Sequence, residues 1–134
     1  MRVYLAGHMP KPGENDWRND IIHRLCNYDI DFLVPMTTAN TTLEKVKHDL
    51  TATKDEMYLN QCDVAVVNLD LKLGKCLGAM WEFGYLYSRH IPIILYNHHN
   101  DMGRTEFLKH KASATVTTFN ELIEALIYMS LEWE

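Results

Sequence analysis

The chain has 134 residues, 47% hydrophobic and 23% charged, a length and balance that suit one globular domain spanning 1–134 with a core that needs no covalent staples. A formal net charge of −5 argues against a protein that grips a nucleic-acid polymer, which would present a basic face. Cys26, Cys62 and Cys76 supply neither a zinc spacing nor an even disulfide framework, and no segment has the length of a membrane span or of a signal peptide's apolar region, so reduced thiols in the cytoplasm are the expectation.

In chain order, residues 3–6 read as a short strand ending at Gly7, followed by a loop with Pro10, Pro12 and Gly13. Asn15 or Asp16 is placed to cap a helix running to Tyr28, with Trp17, Ile21, Ile22 and Leu25 at helical spacing. Residues 31–35 form the second expected strand. Residues 41–61 read as a helix, with Thr51 and Thr53 as points where it would bend or break. Residues 63–70 are the clearest strand, an almost unbroken apolar run of the kind a central parallel strand requires. A loop with Gly74 leads to a helix over 78–89, and 91–96 form a fourth strand. A short fifth strand over 114–117 precedes a terminal helix over 119–132. Strands alternating with helices imply parallel βαβ units, hence an α/β, flavodoxin-like doubly wound sheet of about five parallel strands with helices on both faces. Ligands in such sheets sit beyond the carboxyl ends of the strands, which directs attention to the loops at 7–15, 68–78 and 97–104.

Glu82 is the most informative residue. It lies in an aromatic and apolar helix that carries no Lys or Arg until Arg89, where an isolated carboxylate is costly without partners. A position near the helix start would help the anion. Gly78, Ala79 and Gly84 would let backbone and ligand come close. A glutamate pointing into water, beside glycines that serve only helix–sheet packing, fits the spacing equally well.

Four segments in order carry a resemblance: Val3-Tyr4-Leu5-Ala6-Gly7, Asp55-Glu56-Met57, the run from Asp63 through Asn68 to Asp70, and Gly78-Ala79-Met80-Trp81-Glu82-Phe83-Gly84-Tyr85. Together they resemble the nucleoside 2-deoxyribosyltransferases and the related nucleoside 5'-monophosphate N-glycosidases over nearly the whole chain. The resemblance implies an enzyme without cofactor or metal whose small-molecule substrate is a nucleoside or nucleotide. Glu82 would be the nucleophile toward the anomeric carbon of 2-deoxyribose. Tyr4 would orient it, and Asp55, eight residues before Asp63, would serve as general acid toward the departing base. A core tyrosine and a solvated helix aspartate are the alternatives for those two. Asp63 is expected to cap the start of its strand. Gly7, His8, Lys11, Asn68, Asp70, Cys76 and Gly78 are the candidate substrate-binding positions, although Asn68 and Asp70 also suit a plain polar turn. A homodimer or larger homo-oligomer is implied, with each site completed by a neighbouring subunit; Ser113 is the candidate for that contribution, and exposed aromatic surface around Trp81, Tyr85 and Tyr87 would fit the contact.

Two departures bear on the substrate. Transferases acting on free nucleosides place an aspartate where this chain has Cys76, six residues before Glu82, whereas Cys76-Leu77-Gly78 is closer to the N-glycosidase form. The N-glycosidases in turn hold the 5'-phosphate with Ser and Arg after the first strand's glycine, where this chain has His8-Met9-Pro10-Lys11. His8, Lys11 or a helix N-terminus would meet a phosphate here, with Arg18 a weaker candidate expected to face water. Three further readings stand beside these: a non-catalytic nucleotide-binding module, a catalytic thiol at Cys76, and metal binding at His98 and His99. A flavin binder is disfavoured because the first loop lacks a Ser/Thr-rich phosphate cradle.

Overall fold

The computed structural model describes residues 1–11, 13–35, 44–69, 77–97 and 102–132. Five strands, β1 (Arg2–Gly7), β2 (Asp31–Leu33), β3 (Val64–Asn68), β4 (Ile93–Tyr96) and β5 (Ala114–Val116), form one parallel sheet in the order β2-β1-β3-β4-β5. The helices are α1 (Trp17–Arg24), α2 (Glu44–Gln61), α3 (Leu77–Ser88), α4 (Met102–Lys111) and α5 (Phe119–Ser130). The strand order reverses between β1 and β3. Right-handed crossovers to either side of that point send α1 and α5 to one face and α2, α3 and α4 to the other.

Strand periodicity sorts the core into two layers. Tyr4, Ala6, Ala65, Val67, Ile93 and Leu95 meet Leu59, Phe83, Leu86 and Leu108 of α2, α3 and α4. Val3, Leu5, Val64, Val66 and Ile94 meet Ile21, Leu25, Leu122, Ile123 and Leu126 of α1 and α5. Both faces being covered, the central strands are apolar throughout.

The elements run shorter than their apolar runs suggest. β4 starts after Pro92, whose nitrogen cannot donate to the ladder although its carbonyl accepts from Ala65 N at 3.0 Å. α1 stops at Arg24 with Leu25 as its C-cap, before the expected end at Tyr28. α2 runs without interruption through Thr51 and Thr53. α4 has no counterpart in the sequence reading: among its residues from Glu106 onward only Leu108 is buried, so it shows little apolar period. Asp63 acts as expected at the start of β3, accepting from Arg2 N at 2.8 Å while its own N–H donates to Arg2 O.

Candidate active site

Gly7 and Asn68 sit side by side at the carboxyl ends of β1 and β3, at the point where the strand order reverses. Gly7 has φ +153, and a Cβ there would lie 2.9 Å from both Asn68 O and Trp17 Cζ2, so the chain can leave β1 this closely only with glycine. The backbone then forms one wall of a cleft of about 400 Å³ that takes in His8, Met9 and Lys11, Thr51 and Asp55 of α2, and Gly78 and Glu82 of α3. A second lobe of about 380 Å³ shares Asp55, Gly78 and Glu82 and extends to Thr53, Glu56 and Trp81. Glu82 therefore stands where the two lobes meet.

Tyr4 projects from the middle of β1 toward α3 and is fully buried. Burial, followed by the nearby negative charges of Glu82 and Asp55, holds its hydroxyl far above the ordinary tyrosine range, so it remains a protonated donor. Burial likewise pushes the Glu82 carboxyl up to about 7. The Tyr4 hydroxyl opposes that rise, Asp55 adds to it, and Arg18 pulls weakly the other way. Neither Tyr4 Oη nor the buried Glu82 Oε2 reaches full hydrogen-bonding geometry with a described group. The hydroxyl thus steadies the carboxylate loosely and leaves an oxygen with lone pairs to use. Glu82 lies five residues beyond Leu77, past the first turn of α3, where the helix dipole has faded. Its surroundings, not the dipole, set its acidity.

Of the residues singled out in the sequence, Tyr4, Gly7, His8, Lys11, Asp55, Gly78 and Glu82 converge here. The His8 side chain is 15% exposed, its Nε2 has no hydrogen-bond partner, and Glu14 Oε2 lies 4.0 Å away. A Cβ added at Gly78 or Gly84 would meet nothing within 4 Å, so tight helix–sheet packing explains neither glycine. Asn68 is buried on the α1 and α5 side behind Gly7 and does not line the cleft. Ser113 lies at the opposite, amino edge of the sheet, where its Oγ accepts from Ile93 N at 3.2 Å. Asp70, Cys76, His98 and His99 fall outside the described residues. Among the described residues no three His, Cys, Asp or Glu side chains gather as a metal-binding group, and no helix is long and apolar enough to cross a membrane.

The sequence reading placed Arg18 in water, but it is completely buried. Its guanidinium donates to Leu5 O, Gly7 O, His8 O and Asp16 Oδ1. The only sequence signal was Asp16, which caps α1 by accepting from Arg18 N and so sets Arg18 in the first turn, facing the end of β1. Thr51, read as a helix breaker, instead faces the cleft from an intact α2.

A parallel five-stranded α/β sheet with a carboxylate–tyrosine–carboxylate cluster at its switch point defines a class, and comparison with known proteins supplies the family. The family model described as nucleoside 2-deoxyribosyltransferase like matches residues 1–99, and the chain belongs to that family. Its members are generally enzymes that act on small nucleosides. Among solved structures, a conserved protein from Enterococcus faecalis V583 is similar at TM-score 0.70 and 15% identity, covering 96% of this chain and 98% of its own. A 2-deoxyribosyltransferase from the psychrotolerant bacterium Bacillus psychrosaccharolyticus is similar at TM-score 0.61 and 13% identity, covering 92% and 90%. At these identities the two structures establish the flavodoxin-like fold. No curated protein sequence matches the chain.

Proposed function

We propose that this protein cleaves the N-glycosidic bond of a 2'-deoxynucleoside or its 5'-monophosphate through a covalent deoxyribosyl ester on Glu82. The observation that carries this reading is the meeting of Glu82 and Asp55 in one cleft, with the buried Tyr4 hydroxyl held behind Glu82. A carboxylate suits the task because the transition state resembles an oxocarbenium ion, whose positive charge it stabilises before bonding to it. A Glu82 oxygen attacks the anomeric carbon as the bond from that carbon to the base breaks. The electron pair leaves with the base nitrogen, and Asp55 supplies a proton to the base. The Tyr4 hydroxyl, kept protonated, holds the carboxylate in line. A second base or water then attacks the same carbon and the ester bond to Glu82 breaks, so the configuration is retained overall.

A strict monophosphate N-glycosidase is favoured by one specific observation. His8 Nε2 has no hydrogen-bond partner, although Glu14 Oε2 lies 4.0 Å away, in the lobe that Lys11 also lines, and two such donors suit a 5'-phosphate better than a bare hydroxyl. A homo-oligomer is supported by Trp81 at 57% and Met57 at 54% exposure on adjacent helices beside the cleft. Any contribution from Ser113 would come from a neighbouring subunit, because in its own chain it sits at the far edge of the sheet.

Chromatography of bases released from deoxynucleosides and deoxynucleoside 5'-monophosphates, with and without a second free base, tests the proposal. Release from monophosphates alone, without exchange, selects the N-glycosidase. A new nucleoside formed only with added base selects the transferase. Folded protein that is silent on every substrate, and that binds nucleotides equally well after Glu82→Ala, would select the non-catalytic module.

A further inference from the structure

Among the described residues Arg18 is the largest fully buried side chain, and the reaction outlined above gives it no task. A guanidinium removed from water is costly unless its N–H groups are used and its charge is answered. Here Nε donates to Leu5 O at 2.9 Å, Nη2 to Gly7 O at 3.0 Å, and Nη1 to His8 O at 3.0 Å and to Asp16 Oδ1 at 3.1 Å. The guanidinium also lies 4.7 Å from the centre of the Trp17 ring, whose Nε1 donates to the same His8 carbonyl. Three of the four acceptors are main-chain carbonyls where the chain leaves β1, and that stretch continues directly into the cleft wall. Arg18 grips it from the α1 side of the sheet, opposite Tyr4 and Glu82.

We propose that Arg18 is a positioning residue for the reaction at Glu82: its buried fork fixes the Gly7–His8 wall of the cleft, and its charge, held behind that wall, offsets the negative charge gathered at Glu82 and Asp55. This rests on the reading of Glu82 as nucleophile. The groups that face Glu82 define the balance. Tyr4 comes from β1, Asp55 and Glu56 from α2, and His8 and Lys11 from the loop, while β3 and β4 present the apolar Ala65, Val67 and Leu95 to α3. Burial has the largest influence on the Glu82 carboxyl and drives it up, and Asp55 adds to that rise; the Tyr4 hydroxyl and the Arg18 charge act in the opposite sense. Asp16 partly neutralises Arg18 at 3.1 Å, which makes the strength of this field adjustable at two positions. Lysine would keep the charge but lose the planar fork that reaches several carbonyls at once.

The test is the pH dependence of kcat/KM for base release in wild type, R18M, R18K and D16N, with thermal midpoints measured in parallel. R18M is expected to move the acid limb up and lower kcat/KM by roughly 100-fold. R18K is expected to leave the limb in place while raising KM by roughly 10-fold, because the charge stays and the wall loosens. D16N keeps an N-cap acceptor, exposes the full Arg18 charge, and is expected to move the limb down. Should R18M not fold, the contrasting behaviour of R18K and D16N carries the test. A limb that stays fixed in D16N and in whichever Arg18 variants fold, with losses that simply follow the thermal midpoint, overturns the proposal and leaves Arg18 a structural residue. Wild-type protein that releases no base overturns the reading of Glu82 and the Arg18 role with it.

Discussion

Glu82 occupies a place that stability alone would give to an uncharged side chain. Its carboxyl is pushed up to about 7, chiefly by burial, from an ordinary value of 4.5. The folded protein therefore holds this proton more tightly than the unfolded chain does. The resulting stability is complete below about pH 4.5 and is lost as the pH rises through about 7. Glu82→Gln should accordingly raise the thermal midpoint at pH 8, by an amount equivalent to roughly 1–3 kcal/mol, and should do nothing near pH 4. The same variant should lower turnover at least ~1,000-fold. In wild type, kcat/KM should fall as the pH drops through about 7, because the attacking group must be ionised. Parallel melting curves and rate profiles check both halves. At this scale the sequence was partly legible. A charged residue inside an aromatic helix drew attention to Glu82 but fitted a water-facing scaffold residue equally well, and Tyr4 and Asp55 could be joined to it only through the family resemblance. Arg18 was misread because a charged residue two places after an N-cap normally faces water. Its burial depends on carbonyls at the end of a strand that no local pattern connects to it.

At the scale of elements, a glycine at the end of β1 and one in α3 do opposite things. Gly7 closes the exit of β1 against Asn68 and Trp17 at a φ that other residues avoid, so Gly7→Ala should destabilise the protein by roughly 1–3 kcal/mol and weaken substrate binding with it. Gly84 has open space around it in the middle of α3, so Gly84→Ala should stabilise by about 0.5–1 kcal/mol. Urea titrations of the two variants against wild type give the signs directly. The strands were legible because β1, β3 and β4 are buried on both faces and read as apolar runs. Their ends were less so, since Pro92 and the strand-exit turns cut pairing short of the apolar pattern. α4 escaped notice because a helix on the rim of the sheet buries little and shows little period.

On the scale of the whole molecule, the order β2-β1-β3-β4-β5 places the reversal of the sheet beneath Gly7 and Asn68, which is why residues as far apart as Gly7, Asp55 and Glu82 share one cleft, with Tyr4 buried beneath it. That fold was legible from the alternation of strands and helices, but the two-lobed shape of the cleft was not, because it depends on how α2 and α3 flank its mouth. The apolar surface around Trp81 and Met57 is part of the same architecture. If it joins copies of the chain, sedimentation should report more than one chain per particle, and Trp81→Glu should release single chains with reduced activity. The chemistry itself turns on a covalent bond to Glu82. Protein quenched during turnover with the substrate selected by chromatography, then digested and weighed by mass spectrometry, tests it most directly. One deoxyribosyl unit, with its phosphate if the substrate is a monophosphate, is expected on the peptide that contains Glu82, and none in Glu82→Gln. Base released at an undiminished rate by Glu82→Gln, with no adduct on the wild-type peptide, would contradict it.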